Sequence, residues 1–267
     1  MRGWLGLLLP LLLSCGAAAV EPAAPLPGTV RDPAGSTLTP ALADAVHPPE
    51  DEKSLDPPRP YADRVADLAA VRRGLGRDWM NATTAASKTT VLARARETLH
   101  GAIVEQLIPP WHGTEWGFYG TSQTPGQGTI ACGYFVSTVL RDAGLRVERV
   151  RLAQQASSHI ARTFAGGGTK WFSRAPHLRV VEYIEDQGPG LYVVGLDYHV
   201  GFLTWDGSGP VQMCHSSVLW PGSVLCEEAA KSEAMLSEVH VVGDVLTDRV
   251  VEAWIEGKAI PTSTPND

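Results

Sequence analysis

The chain has 267 residues, enough for one domain of ordinary size plus extra segments, and its 44% hydrophobic content can supply a packed core. Its formal charge is −7 and no run of basic residues is present. That argues against nucleic acid as the main partner, but it leaves a small charged substrate open.

In chain order, a basic Arg2 precedes the short apolar run WLGLLLPLLLS, which ends at Cys15. This is the layout of a secretory signal, and the run is too short to cross a bilayer comfortably. Leu12-Leu13-Ser14-Cys15 resembles the lipobox of bacterial lipoproteins. The resemblance implies cleavage before residue 15, lipidation of Cys15, and an exported protein held to a membrane through that anchor. Gly16 after the cysteine implies the outer membrane where the cell has one. Export also implies a compartment that permits disulfides. Residues 16–59 are rich in Pro, Ala, Asp and Glu and nearly devoid of aromatics, so they read as a disordered tether. Fully extended, they would span on the order of 140 Å.

A domain is expected over 60–267. Residues 61–75 carry Val65, Leu68 and Val71 at helical spacing, and a second helix is expected over about 87–107, ended by Pro109-Pro110. The stretch WHGTEWGFYGTSQTPGQGTIA reads as a loop. A third helix begins near Cys132, with Phe135, Val136, Val139, Leu140 and Ala143 as its apolar stripe and Gly144 as its stop. Weaker helical patterns cover 153–164 and 175–186. From Leu191 the pattern turns to short strands, LYVVGL, HVGFLTW, VQMCHSS and SVLCEE, then a helix over 228–236 and a strand EVHVVGDV. Helices first and an antiparallel sheet afterwards is an α+β order.

Three residues stand out for chemistry. Cys132 sits at a helix start behind a glycine-rich loop, where free N–H groups favour a thiolate and can hold an oxyanion. His199 opens a strand and is a candidate base. His215 ends the next strand. A three-residue hairpin loop, Asp206 to Ser208, would pair Trp205 with Gly209 and set the two imidazoles opposite one another, with Cys214 on the other face. Asp197, two residues before His199, is an alternative orienter and a candidate substrate contact. Cys214 and Cys226 flank one strand connection and have no other assigned role, so they are expected to form a disulfide. Trp111, Trp116 and Trp171 are candidates to line a cleft, and His112 is expected at the surface. His159, His177 and His240 lack paired ligand spacing, so no metal site is expected.

IACGYFVSTVLRDAGL resembles the nucleophile helix of NlpC-type peptidoglycan peptidases, YHVGFLTWDG their histidine-bearing strand, MCHSSV their third-residue segment, and TEWGFYGTS the loop upstream. The likeness covers about residues 100–230. It implies a papain-like domain with helices packed on an antiparallel sheet. Cys132 would be the nucleophile, His199 the base and His215 its orienter. Trp116 and Tyr119 would be substrate contacts, a peptidoglycan peptide the substrate, and no cofactor would be needed. The sequence departs from the pattern in three places: Ala131 replaces an Asp, Gly133 a Ser, and Trp116 a Tyr whose hydroxyl lines the site. Rival readings are an acyl hydrolase or transferase of the same fold with a different substrate, and a non-catalytic lipoprotein that binds cell wall. The sequence sets no oligomeric state.

Overall fold

The computed structural model describes residues 59–265. The expected signal peptide, lipidated Cys15 and nearly all of the tether lie outside the described residues. Two helices open the domain, α1 (Tyr61–Asn81) and α2 (Ala85–Gly101). The start of α2 is set by a reciprocal cap. The Thr84 hydroxyl accepts from the Ser87 N–H at 3.1 Å, and the Ser87 hydroxyl accepts from the Thr84 N–H at 3.1 Å. The chain then widens into a π-helical turn at Ala102–Leu107, closed by the Ile108 N–H donating to Ile103, before Pro109 forbids continuation.

Two short strands, β1 (Glu115–Trp116) and β2 (Thr129–Ile130), pair in parallel and deliver the chain to α3 (Cys132–Asp142). Phe135, Val136, Val139 and Leu140 of α3 are wholly buried, and the helix ends at Ala143, followed by Gly144 at φ +90°. After α4 (Arg149–Ala153), α5 (Ser157–Ala165), β3 (Lys170–Ser173) and α6 (Leu178–Gln187) come β4 (Gly190–Gly195), β5 (Val200–Trp205), β6 (Gln212–Ser216) and β7 (Val224–Glu228). The chain closes with β8 (Val239–Asp244) and α7 (Asp248–Glu256). Six strands form one antiparallel sheet in the order β3-β8-β4-β5-β6-β7. The protein is thus a mixed α/β domain with an antiparallel sheet. Among the described residues no helix is long and apolar enough to cross a membrane.

Strand alternation divides the interior. Leu191, Val193, Phe202 and Cys214 face a large core shared with α3, α5 and α7. Tyr192, Val194, Leu203 and Met213 face a smaller one covered by Val180 and Ile184 of α6. Cys214 and Cys226 pair across β6 and β7 with Cα atoms 4.1 Å apart and are joined by a disulfide, as the sequence led us to expect.

Several sequence expectations need correction. The segment 228–236 holds only a 3₁₀ turn, Glu233–Met235, because Ser232 and Leu236 leave helical geometry on either side. Strand β3 and helix α7 are absent from the sequence expectations; β3 is only four residues long, whereas α7 carries a helical signal, with Val250, Val251, Trp254 and Ile255 on one buried face and Gly257 after it at φ +68°. Trp111 lines no cleft. It lies in the 3₁₀ turn after Ile108, wholly buried, edge-on to Tyr61 and Phe135, with its Nε1 donating to the Tyr61 hydroxyl at 3.2 Å. Trp171 is half exposed and borders a different surface hollow, beside Arg162 and Arg249.

Candidate active site

Helix α3, which begins at Cys132, is placed by close backbone approach. A Cβ on Gly133 would sit 2.3 Å from the Ala153 carbonyl oxygen at the end of α4. Only glycine fits there, which explains why this position cannot carry the serine of the family pattern. Gly133→Ala should therefore push α3 away from α4 and destabilise the domain by about 2–3 kcal/mol, as overpacked sites do. Calorimetry should read this as a melting temperature lower by roughly 5–10 °C. An unchanged melting point would refute the contact.

His199 closes the tight turn between β4 and β5, where the Leu196 N–H donates to its carbonyl at 2.8 Å. The β5–β6 register is Phe202 with Cys214, Leu203 with Met213 and Thr204 with Gln212. Continued outward, it sets Gly201 opposite His215, and the hairpin loop is two residues longer than the sequence suggested. A two-residue shift preserves the facing, whereas a one-residue shift would have inverted it. His199 and His215 are therefore diagonal neighbours on one face. Gly201 makes room for them, since a Cβ there would lie 3.0 Å from the His215 Cβ. The His199 Nε2 and His215 Nδ1 atoms are 2.7 Å apart, and the ring planes cross at 75°.

The network continues beyond the two histidines. His215 Nε2 lies 3.1 Å from Glu227 Oε1, which also accepts from the Ser232 hydroxyl at 2.6 Å. An ionised carboxylate can only accept, so it fixes every proton upstream. His215 must carry its proton on Nε2 and offer a lone pair at Nδ1. His199 must then donate from Nε2, which leaves the Nδ1 lone pair as its free base. Neither Glu227 nor Ser232 was singled out from the sequence. Asp197 does not orient the imidazole: its carboxylate accepts from the Ser237 hydroxyl and the Glu238 N–H, both at 2.8 Å. It borders a second hollow that also holds Cys132 and His199.

Cys132, half-buried, and His199 share the wall of a cavity of about 390 Å³, together with Trp116, Tyr119, Tyr134 and Tyr198. The Trp116 backbone N–H donates to Gly222 at 2.8 Å, and its indole makes no hydrogen bond among the described residues. Two effects compete at the Cys132 sulfur. Burial raises the thiol pKa, while the N–H groups of Val200, Gly133 and Cys132 itself lower it, and burial wins. The helix start alone therefore does not produce a resting thiolate. Burial, followed by the neighbouring His215, holds His199 down to about 3, and burial holds His215 down to about 4. Both directions favour the uncharged forms of the Cys132 thiol and the two imidazoles near neutral pH. Alkylation of Cys132 by iodoacetamide should accordingly rise by about tenfold per pH unit and still be climbing at pH 9, because only the thiolate reacts. A plateau beginning near neutrality would instead reveal a preformed thiolate–imidazolium pair.

His112 is exposed, with Nε2 3.3 Å from Cys226 Sγ. Buried His240 bonds the Met235 carbonyl. Among the described residues, no group of three or more His, Cys, Asp or Glu is arranged to hold a metal ion. Comparison of the chain with protein-family models, with curated proteins and with solved structures finds no match.

Proposed function

We propose that this protein is a cysteine hydrolase in which Cys132 attacks an acyl carbonyl with His199 as its base. The observation that carries the proposal is the hydrogen-bonded chain from Glu227 through His215 to His199 Nε2, which ends on a residue that shares a cavity with the free thiol. As the sulfur adds to the carbonyl carbon, its proton passes to His199 Nδ1. The imidazolium so formed is stabilised through His215 by the Glu227 charge, and its proton then goes to the leaving group. Water, deprotonated by the same nitrogen, cleaves the thioester and restores the thiol. In this reading the first N–H groups of α3 stabilise the oxyanion, and the Trp116 indole, which lines the same cavity, is a candidate second donor.

The order nucleophile helix, histidine strand, third-residue strand supports a papain-like, NlpC-type domain, and that resemblance implies an amide bond in peptidoglycan peptides as the target. Export through the signal peptide and anchoring at a lipidated Cys15 complete the proposal. Mass spectrometry of the mature protein should find a lipidated N-terminal Cys15, and an unmodified terminus further along would refute the anchor alone. The catalytic reading is tested by acyl-enzyme trapping. A slowly hydrolysed activated ester should add its acyl mass to the peptide containing Cys132, and acylation elsewhere, or none, would reject it.

A further inference from the structure

The cavity over Cys132 and His199 is lined by no Asp, Glu, Lys or Arg, in a chain where 19% of residues carry a charge. Its mouth, moreover, is built of side chains that water should disfavour. Phe118 is 71% exposed, Tyr119 89%, Tyr198 100% and Val218 61%, and the run continues through Leu219 to Trp220 at 94%. These groups form part of the site. Phe118 and Tyr119 pack edge to face at 4.9 Å, Tyr198 immediately precedes His199, and Phe118, Tyr119, Tyr198 and Val218 themselves line the cavity. The turn carrying Leu219 and Trp220 is closed by the Gly222 N–H donating to Leu219 at 2.7 Å and is tied to the cleft wall through the Trp116 N–H bonded to Gly222. Single exposed apolar residues are ordinary on a protein surface. Four of them lining one cavity with a free thiol mark a binding surface.

We infer that the substrate is an acyl compound with a long, uncharged apolar chain, a fatty-acyl ester, thioester or amide, whose carbonyl meets Cys132 while its chain lies along the Phe118–Tyr119–Val218 wall. The inference rests on the catalytic reading above, and it replaces the peptidoglycan peptide that the resemblance implies with a substrate class read from the cleft itself. The nucleophile and base dictate an acyl carbonyl at the floor of the cleft. The walls dictate what flanks it: they offer an apolar chain the contacts it gains on leaving water, and they offer the carboxylates of a stem peptide no cation, while Asp197, the carboxylate of the adjoining hollow, is already held by Ser237 and Glu238. In the reaction with an ester, the sulfur–carbon bond forms as the carbon–alkoxide bond breaks, and the alcohol leaves with the proton held by His199. Water then yields the fatty acid and the free thiol, and no other reactant is required.

The test compares p-nitrophenyl acetate, butyrate and octanoate, below micellar concentrations, against a carboxylate-bearing muropeptide, with Cys132→Ala as the background. Each methylene removed from water can contribute up to about fourfold in kcat/KM. The octanoate should therefore exceed the acetate by at least roughly 30-fold, since partial burial of six methylenes suffices. In Phe118→Ser and Val218→Ser that ratio should fall several-fold. A ratio near one with Cys132-dependent acetate hydrolysis overturns the substrate class and leaves the catalytic reading standing. So does Cys132-dependent cleavage of the muropeptide at a higher kcat/KM than the octanoate. No Cys132-dependent turnover of any of these, with no acyl group on Cys132, overturns the catalytic reading and the inference with it.

Discussion

Cys132→Ala should lose roughly 10⁴–10⁶-fold in kcat while the domain stays folded, because removing a nucleophile eliminates the covalent route and leaves only binding and oxyanion stabilisation. Folding should survive because the residue is only half-buried at the first position of α3, and truncating a thiol there opens no large void in the core held by Phe135, Val139 and Leu140. The pair of measurements, steady-state rate and melting temperature, separates this from a structural role. A buried cysteine that merely packs would lower the melting point and spare the rate. Residual activity within about tenfold of wild type would remove Cys132 from the mechanism.

Much of this arrangement was legible in the sequence, for identifiable reasons. The α3 stripe repeats every three to four residues and ends at a glycine, so both its extent and the position of Cys132 at its start could be read directly. The strands from Leu191 onward alternate cleanly, and that put His199 and His215 on one face even with the wrong loop length, since facing depends on the parity of the register and not on its value. What escaped was non-local. Trp111 and Trp116 are both aromatic residues flanking glycine-rich loop, and nothing in their local pattern separates a core residue from a cleft wall. Burial was decided by packing against Tyr61, 50 residues earlier. Glu227 escaped for a different reason. The expected Cys214–Cys226 disulfide already contained the β6–β7 register, because two directly paired cysteines place Met213 opposite Glu227 and His215 opposite Leu225. Glu227 then falls diagonally across from His215, on the imidazole face. The position of Glu227 is thus encoded in the cysteine pairing and not in any local pattern around residue 227.

The relay itself yields a graded series. His199→Ala should cost roughly 10³–10⁴-fold in kcat, since it removes the proposed general base. His215→Ala should cost roughly 10–100-fold, as the loss of an orienting partner usually does. Glu227→Gln belongs near the lower end of that range. Its amide oxygen can still accept from His215, but the negative charge that stabilises the imidazolium is gone, and the amide can turn to donate to His215 Nε2 instead, which moves the His215 proton to Nδ1 and makes His199 accept at Nε2 and carry its own proton on Nδ1, where the base is needed. Nitrogen-15 spectra of the imidazoles test the cause directly. Wild type should show protons on Nε2 of both rings with both Nδ1 atoms bare, and Glu227→Gln should show a mixture. The same burial that neutralises both rings sets an acid limit. Their folded-state pKa values, about 3 and about 4, lie below the unfolded value, so the unfolded chain binds the extra protons and stability falls as pH drops from about 6.5 toward 4. Each ring contributes up to about 1.4 kcal/mol per pH unit across that window. In His215→Ala the slope should be shallower by one proton, and an identical slope in wild type and variant would mean that His215 is not buried as a neutral ring.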